Sequence, residues 1–444
     1  MQKTPRLNKR VFFTLLSAVV IVVGTVIAIR FAQGYRPTKQ GVLSPTGLLS
    51  ANSFPNGASV YIDGNLTTAT DATLNLPPGD YDVEIKKDGY SSWKKSLRID
   101  KELVTQTNAM LFPSAPSLSA LTSTGATNIT PSPDGQQLLY VTASASAERA
   151  NGIYVMSLAD SPLALQKGAT QIARTPTGWD LSAATFVWSP DGSQILLSYQ
   201  NRNLLLTANR MNELESTQDV SLRRRQILDD WMEIFARKRE ATLRLFPAEV
   251  VRIATQSATA VYLSPDQERL LYTATAAATL SQNLIPALPA ANSQPQERTL
   301  VPGTVYVYDR HEDRNFAVAR MTPPPATATP AASLRPSQQK TATLIASPSA
   351  TPTIMAEYLQ YRAQTSPLFV ASPQWLPDSK HIITSGAKGI EIVEYDGTNR
   401  TTVYAGPFTE HFVYPWPNGS KLIILTNFNQ SESAVSNLYA ISLR

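Results

Sequence analysis

Residues that often carry catalysis or bind metals are scarce in this sequence. Its 444 residues include no cysteine and three histidines, His311, His381 and His411. Without cysteine there can be no disulfide, no thiolate nucleophile and no Cys-ligated metal. The three histidines are scattered and form no HExxH or paired arrangement, so we interpret them as ordinary surface or loop residues. We therefore expect no metal site and no cofactor site.

Sequence motifs for nucleophilic or phosphate chemistry are also missing. No GxSxG surrounds any of the 20 glycines, and neither a P-loop nor a GxGxxG occurs. The remaining catalytic possibility is a pair of Asp or Glu side chains acting as the acid and base of a glycosidase, which the sequence alone does not exclude. We expect a protein that is not an enzyme, with no catalytic residue, and keep a glycan hydrolase as the alternative.

The charge of the chain is unevenly distributed. The net charge is +5, and much of the excess lies in the first 39 residues and in the stretch 223–244. Two local concentrations do not make a nucleic-acid groove, and no recognised nucleic-acid motif is present. We therefore expect no nucleic-acid partner.

A repeated turn phrase organises most of the chain. The phrase WSPDGSQILLS at 188–198 recurs as PSPDGQQLLYV (131–141), LSPDQERLLYT (263–273), WLPDSKHIITS (375–385) and PWPNGSKLIIL (415–425). Pro fixes φ, Asp or Asn bonds to nearby backbone, and Gly takes the left-handed conformation. Each phrase therefore predicts a reverse turn followed by a buried strand. Gln267 and Ser379 replace the glycine, which predicts looser turns in those two units.

Further strands follow each turn. A second strand is predicted at 153–158, 204–208, 305–309, 390–395 and 438–443, and another at 169–173, 249–255, 316–321 and 401–405. With the strand before each turn, a full unit has four strands. Such units stack radially as β-propeller blades, because no blade can bury both of its faces alone. The sequence thus predicts a mainly β protein with a propeller of about five blades.

The SPDG turn between the first two strands of each unit resembles the turn of TolB-like, WD-repeat-like propellers. The resemblance covers residues 114–444. It implies the fold and not the function, since propellers host many functions. The fifth unit has only three strands by residue 444. We expect SLSALTS (117–123) to pair antiparallel with 438–443 as its outer strand.

Two kinds of insertion interrupt the propeller pattern. Within 209–248, the stretch 221–247 is rich in helix formers and has no glycine, which predicts a helix. The residues that approximate its apolar face are Leu228, Trp231, Met232, Phe235 and Leu245. We expect this face to pack on the propeller or a partner, and contact of the basic helix with anionic lipid is the alternative. The Ala-, Thr-, Pro- and Ser-rich stretches 275–301 and 322–354 predict disordered loops.

An apolar segment precedes the β-rich part of the chain. Residues 11–29, VFFTLLSAVVIVVGTVIAI, contain no charge and are long enough to cross a hydrocarbon layer of about 30 Å. A cleaved signal peptide is the alternative, but its apolar region is usually only about 7–15 residues. We expect a signal anchor at 11–30 that contacts the lipid bilayer, a cytoplasmic tail at 1–10 and a linker at 31–46.

Residues 47–113 have a different pattern. Alternation of apolar and polar residues in ASVYIDG and YDVEIKKDGY predicts a small antiparallel β-domain. The phrases PNGASVYIDG and LPPGDYDVEIKKDGY, followed by Trp93, resemble the PEGA domain. That resemblance implies a small β-sandwich of surface proteins, with a role in envelope attachment or carbohydrate contact and no catalytic residue. We interpret Asp63-Gly64 and Asp88-Gly89 as hairpin turns, with metal binding as the alternative.

These elements predict a non-catalytic, single-pass membrane protein of the cell envelope. Its N-terminus is expected in the cytoplasm and the bulk of the chain outside it. The propeller is expected to bind an unknown envelope protein or polysaccharide. The alternatives are an envelope-glycan hydrolase with acidic residues in the propeller mouth, and a passive structural surface protein.

Overall fold

A computed structural model describes residues 9–32, 35–37, 43–159, 168–286, 288–289, 291–320, 373–386, 388–410, 412–428 and 435–444. His411, the predicted loop 322–354 and most of the predicted tail 1–10 lie outside the described residues. The chain divides into two units. One comprises Met1–Leu111 and Ala287–Pro295, and the other comprises Phe112–Pro286 and Gln296–Arg444.

The first unit contains the helix α1 (Lys9–Ala32). Its segment Phe12–Arg30 has 19 residues with a mean hydropathy of 2.7, and none of it is buried. At 1.5 Å per residue this length matches the thickness of a hydrocarbon core. The helix therefore has the length and composition of a membrane-spanning segment, as the sequence predicts for residues 11–29.

Short β-strands form the rest of the first unit. They are β1 (Arg36–Pro37), β2 (Leu43–Ser44), β3 (Gly47–Ala51), β4 (Ser53–Phe54), β5 (Ser59–Ile62), β6 (Asn65–Ala69), β7 (Ala72–Leu76), β8 (Gly79–Lys86), β9 (Trp93–Ile99), β10 (Val104–Gln106) and β11 (Ala109–Met110). One sheet has the order β6-β5-β8-β9 and another the order β10-β3-β7, with the pairs β1-β2 and β11-β4 beside them. Leu49, Val60, Val83, Ile85 and Trp93 from both sheets share one core.

The Asp63-Gly64 pair is a hairpin turn, as predicted. Both residues have positive φ, 48° and 78°, and they connect β5 to β6. Asp and Gly tolerate this conformation, which two-residue hairpins of this type require. The Asp63 carboxylate also accepts a 2.9 Å hydrogen bond from the backbone N–H of Asp82, so it has a structural role in the turn.

Five antiparallel sheets dominate the second unit. Its strands are β12 (Leu118–Ala120), β13 (Thr127–Pro131), β14 (Gln137–Thr142), β15 (Gly152–Ser157), β16 (Ala169–Arg174), β17 (Thr185–Trp188), β18 (Gln194–Tyr199), β19 (Arg202–Thr207), β20 (Ala258–Leu263), β21 (Arg269–Ala274), β22 (Ala278–Thr279), β23 (Thr299–Leu300), β24 (Thr304–Asp309), β25 (Arg314–Arg320), β26 (Gln374–Trp375), β27 (His381–Gly386), β28 (Gly389–Glu394), β29 (Thr401–Tyr404), β30 (Val413–Pro415), β31 (Lys421–Thr426) and β32 (Asn437–Ser442).

The sheets correspond to five propeller blades, each opening on the strand before its turn. Blade one is β13-β14-β15-β16, blade two β17-β18-β19, blade three β20-β21-β24-β25, blade four β26-β27-β28-β29 and blade five β12-β32-β31-β30. Short 3₁₀ helices lie at Glu148–Ala150, Leu181–Ala183 and Ser221–Arg223. This arrangement confirms the expected mainly β fold with a propeller of five blades.

The outer strand of blade five comes from the segment before blade one. Strand β12 pairs antiparallel with β32, with Leu118 opposite Ile441 and Ala120 opposite Tyr439. Thr122 continues the contact, because its hydroxyl accepts a 2.9 Å hydrogen bond from the backbone N–H of Leu438. The predicted pairing of 117–123 with 438–443 is confirmed, and it covers an edge of β32 that would otherwise be open to other chains.

Side-chain hydrogen bonds hold the repeated turns. In blade one the Ser132 hydroxyl donates to Asp134 Oδ1 at 2.5 Å, and Gly135 has a φ of 72°. Gln267 and Ser379 occupy the glycine position with nearly the same φ, 63° and 60°. The looser turns predicted for these two units are therefore not observed. Asp hydrogen bonds to the following backbone persist there and hold the residue in a conformation that side chains disfavour.

Hydrogen bonds also connect the first strand of one blade to the first strand, or the turn after it, of a neighbouring blade. The donors and acceptors are Trp188 Nε1 to Thr130 O at 3.1 Å, Trp375 Nε1 to Tyr262 O at 3.3 Å, Gln374 Nε2 to Val413 O at 2.8 Å, and Tyr414 OH to Gly135 O at 2.8 Å. They join blade two to one, four to three, four to five and five to one. The junction between blades two and three is built differently, from helices.

Two helices follow blade two, α2 (Arg224–Leu243) and α3 (Ala248–Gln256). The first was predicted, but the strand predicted at 249–255 is wrong, because these residues form α3. The spacing explains the difference: Val250, Ile253 and Ala254 are buried, and positions i, i+3 and i+4 share one helical face. Blade two consequently has three strands.

The segment 275–301 is ordered where described, unlike the disordered loop expected. It contains the pair β22-β23, and Leu280 and Leu300 are buried. Its partners come from blade three: Arg298 forms a 3.1 Å ion pair with Asp313, whose carboxylate also accepts from the backbone N–H of Leu284 at 2.8 Å. A composition rich in small and polar residues does not reveal such distant partners.

The turns offer a matched pair of substitutions. We expect Gly192→Ala to destabilise the propeller by about 1 kcal/mol, because alanine disfavours the left-handed conformation. The new Cβ would meet no atom closer than 4.0 Å, so the effect reports backbone conformation. Gln267→Gly should shift stability in the opposite direction. Thermal unfolding of both variants would check the signs, and a stabilising Gly192→Ala would contradict this account of the turns.

Candidate functional site

The first half of α2 packs on blade two. Leu228 and Trp231 form a cluster with Val187 of β17 and Leu196 of β18, which lie opposite each other in the sheet. The other face of blade two packs directly on blade one, through residues such as Phe186 and the buried strands of both sheets. Helix α2 therefore covers the face of blade two that is turned away from blade one.

The end of α2 and all of α3 lie against blade three. Phe246, between the helices, and Val250 and Ile253 of α3 share a cluster with Tyr272 and Tyr306. The opposite face of blade three packs on blade four. Elsewhere in the ring, the facing sides of neighbouring blades pack directly on each other. Here the helices cover the facing sides of blades two and three and form the junction between them.

The middle of α2 is exposed. All six residues from Ala236 to Ala241 are in the exposed class. Consecutive helical residues are 100° apart, so six of them point in every direction around the axis. This segment, which we call the bridging turn, connects the blade-two contact to the blade-three contact and contributes no buried residue to either.

The first strand of blade three is more exposed than its counterparts. In β20 Thr259 is exposed and the other five residues are partly exposed. In contrast, β26 and β30 are buried throughout, and only the first residue of β17 is partly exposed. The first strand of blade three is therefore only partly covered, with Val261 packed against the blade-three cluster and Tyr262 against the cluster shared with blade four.

The bridging turn carries unpaired positive charge. Arg237 pairs with Glu233, and Arg244 pairs with Glu240 at 2.7 Å, both on the solvent-exposed surface where such pairs contribute little to stability. Among the residues that the structure describes, Lys238 and Arg239 make no ion pair. Lys and Arg side chains in water attract carboxylate and phosphate groups. The turn is thus a cationic site that is not needed to hold the helix.

The positive charge of Arg239 affects a tyrosine of blade three. Burial raises the pKa of the Tyr262 phenol in β20, and the positive charge of Arg239 opposes this rise. The guanidinium is therefore close enough to the first strand of blade three to influence its electrostatics. The cationic turn and the exposed strand belong to one region of the surface.

The packing of α2 decides between the two roles expected from its sequence. Leu228 and Trp231 are buried on blade two as predicted, whereas Leu245 is 52 % exposed and does not join the buried face. A helix that inserts into lipid must offer its apolar face to the membrane. Here that face is already covered by blade two, which favours the packing interpretation.

A concavity lies where blade five meets blade one. It measures about 350 Å³ and is lined by Leu121, Ser123 and the rings of Tyr140 and Tyr154, among others. The two rings stack with centroids 5.5 Å apart. Burial, together with the nearby Tyr154, raises the pKa of Tyr140 to about 12, so the lining is uncharged at neutral pH.

The carboxylates with altered titration do not have the properties of a general acid. Hydrogen bonds from serine side chains and backbone N–H groups lower the pKa of Asp180, Asp191 and Asp219. Burial raises the pKa of Asp378, but hydrogen bonds and the charge of His381 outweigh it and the net shift is downward. A glycosidase acid needs the opposite shift, to remain protonated near neutral pH.

The histidines take part in structure where they are described. His381 is 4 % exposed, with Nδ1 2.5 Å from Asp378 Oδ2 and its ring edge-on to Phe112, so it is buried instead of at the surface position expected. The backbone N–H of His311 donates to Asp309. No group of three or more potential metal ligands occurs within the described parts of the chain.

Comparison with known proteins identifies one part of the chain by family. Residues 46–114 match the PEGA domain. The PEGA domain expected at 47–113 is thus confirmed, on the two-sheet unit described above. No curated protein matches the chain.

Solved structures with similar folds include propellers. A protein described as TolB from Agrobacterium tumefaciens is 13 % identical over 71 % of this chain and 78 % of its own, with a TM-score of 0.21. An oligogalacturonate lyase from Vibrio parahaemolyticus is 8 % identical, covering 90 % and 99 %, with a TM-score of 0.26. The Cps50 β-propeller domain from Myceliophteria thermophila is 11 % identical, covering 74 % and 100 %, with a TM-score of 0.25. Scores this low carry no argument about function, and the propeller is assigned from the five sheets.

We expect Trp231→Ala to destabilise the propeller by about 3 kcal/mol, because truncating a buried aromatic ring leaves a cavity between α2 and blade two. The matched control is Ile234→Ala on the same helix, whose side chain is 52 % exposed and whose loss should change stability by less than about 0.5 kcal/mol. Denaturant unfolding of both variants measures the difference. Equal effects would contradict the packing of α2 on blade two.

Proposed function

We propose that this protein is a membrane-anchored component of the cell envelope that binds another envelope component, a protein or a polysaccharide, without catalysing a reaction. The observation that carries the proposal is the helical junction between blades two and three. There the first strand of blade three is only partly covered, and exposed cationic side chains of α2 lie close enough to act on Tyr262. Accessible charge of this kind is available to a binding partner.

The location follows from the apolar helix and the PEGA domain. Lys3, Arg6, Lys9 and Arg10 precede the apolar segment, and positive residues favour the cytoplasmic side. The bias is slight, because Arg30, Arg36 and Lys39 follow it. Helix α1 then serves as an uncleaved anchor, the N-terminus is cytoplasmic, and the PEGA domain and propeller are outside.

The non-catalytic character is supported by the state of the carboxylates. Those with a shifted pKa are held ionised by hydrogen bonds in turns, as for Asp191 beside Ser189 and Ser193. They serve the backbone of the fold, which is a structural use of the carboxylate.

A single-cysteine experiment tests location and binding together, since the natural chain has no cysteine. Full-length Ala241→Cys, within the bridging turn, is produced in cells that are converted to spheroplasts and treated with a membrane-impermeant maleimide photocrosslinker. We expect labelling, because the residue is exposed and extracytoplasmic, followed by light-dependent crosslinks to envelope material. The matched control is Gln226→Cys, exposed on the same helix near its blade-two contact, which should label equally and crosslink less.

Labelling tests the orientation of the chain, and crosslinking tests binding at the junction. Labelling only after the spheroplasts are lysed would contradict the proposed orientation. Labelling without crosslinks at residue 241, or with equal crosslinks at both positions, would contradict binding at the junction. Mass spectrometry and glycan staining of the crosslinked product show whether the bound component is protein or polysaccharide.

A further inference from the structure

We propose that the bridging turn binds an anionic polysaccharide, with Lys238 and Arg239 contacting its carboxylate or phosphate groups. This inference rests on the proposed binding function and names the ligand class of that same site. The middle turn of α2 is exposed, whereas both ends of the helix contribute buried residues to the clusters of blades two and three.

The charge of the turn gives the sign of the ligand. Glu233 and Glu240 are engaged by Arg237 and Arg244, so the side chains left without an ion pair are both cationic. Two adjacent residues on a helix lie 100° apart, and Lys238 and Arg239 therefore extend over a broad sector of the turn. Arg can also bind a carboxylate or phosphate through two parallel hydrogen bonds.

The surroundings favour a linear polymer over a folded protein. A stable interface between folded proteins usually buries about 1,200–2,000 Å² around an apolar centre. The bridging turn offers charged residues flanked by Ala236 and Ala241, without a large apolar side chain. A polysaccharide strand can lie along such a turn and contact it residue by residue, with its hydroxyl groups still hydrated.

The packing of the helix disfavours a lipid surface. Membrane-binding helices combine basic side chains with an apolar face that enters the lipid. In α2 Leu228 and Trp231 are packed on blade two, and the exposed Ile234 is a single apolar side chain and not an apolar face. Charge attraction without insertion holds a helix on a membrane only weakly at physiological salt.

The test uses the full chain in nanodiscs of zwitterionic lipid at about 150 mM salt, where screening limits contacts beyond about 8 Å. The probe is alginate, a polyuronate, and the neutral control polymer is dextran. We expect the natural chain to bind alginate and not dextran, with affinity that falls as salt rises. Lys238→Gln/Arg239→Gln should weaken alginate binding at least about tenfold, since each charged hydrogen bond contributes about 1.5–3 kcal/mol.

The control is Arg223→Gln/Arg225→Gln, which removes the same charge from two exposed residues at the start of the helical insertion, the N-cap of α2 and its first turn, and should leave alginate binding within about twofold. Unchanged melting temperatures show that both variants fold. Absence of alginate binding, equal losses in the two variants, equally tight binding of poly-L-glutamate, or preference for phosphatidylglycerol vesicles would each overturn the proposal. If alginate fails while Ala241→Cys still crosslinks specifically, the ligand class is wrong and the binding site stands.

Discussion

Each propeller blade has two apolar faces, and both must be covered if the ring is to be stable in water. Four junctions meet this requirement with sheets and with hydrogen bonds such as that from Trp188 to Thr130. At the junction between blades two and three the requirement is met by α2 and α3. A helix cannot follow two separated sheets along its whole length, so its middle turn is left in water. The exposed, cationic bridging turn is therefore a consequence of how α2 and α3 bury the facing sides of blades two and three.

Closure of the ring follows the same constraint. Blade five would be one strand short without β12, and the pairing of Leu118 with Ile441 supplies that strand from a distant part of the sequence. Hydrogen bonds from the Thr122 region extend the contact. The propeller is in this way stabilised by pairing between residues more than 300 positions apart, a long-range contact of the kind that slows folding.

Much of the fold could be read from the sequence because its signals are local. The Pro, Asp and Gly of the SPDG phrase predict the turn from neighbouring residues alone. The alternation of apolar and polar residues likewise predicts the strands of the PEGA domain. The misjudged elements have two different causes. The spacing of Val250, Ile253 and Ala254 fits a helix, but the repeat pattern suggested a strand. The order of 275–301 depends on Arg298 meeting Asp313. The basic run at 237–239 was visible, but its exposure beside blade three was not, because that exposure is a property of the assembled junction.

The central claim is that the first strand of blade three is less covered at the helical junction than the first strands of the blades that pack directly on each other. Maleimide labelling of single cysteines measures this directly in a chain that has no cysteine of its own. Val261 in β20 and Ile129 in β13 stand at equivalent positions before their turns, and Val261 is partly exposed whereas Ile129 is buried. We predict that Val261→Cys in the folded full chain reacts at least about tenfold faster than Ile129→Cys. Equally slow reaction at both positions would show a continuous ring and would contradict the account.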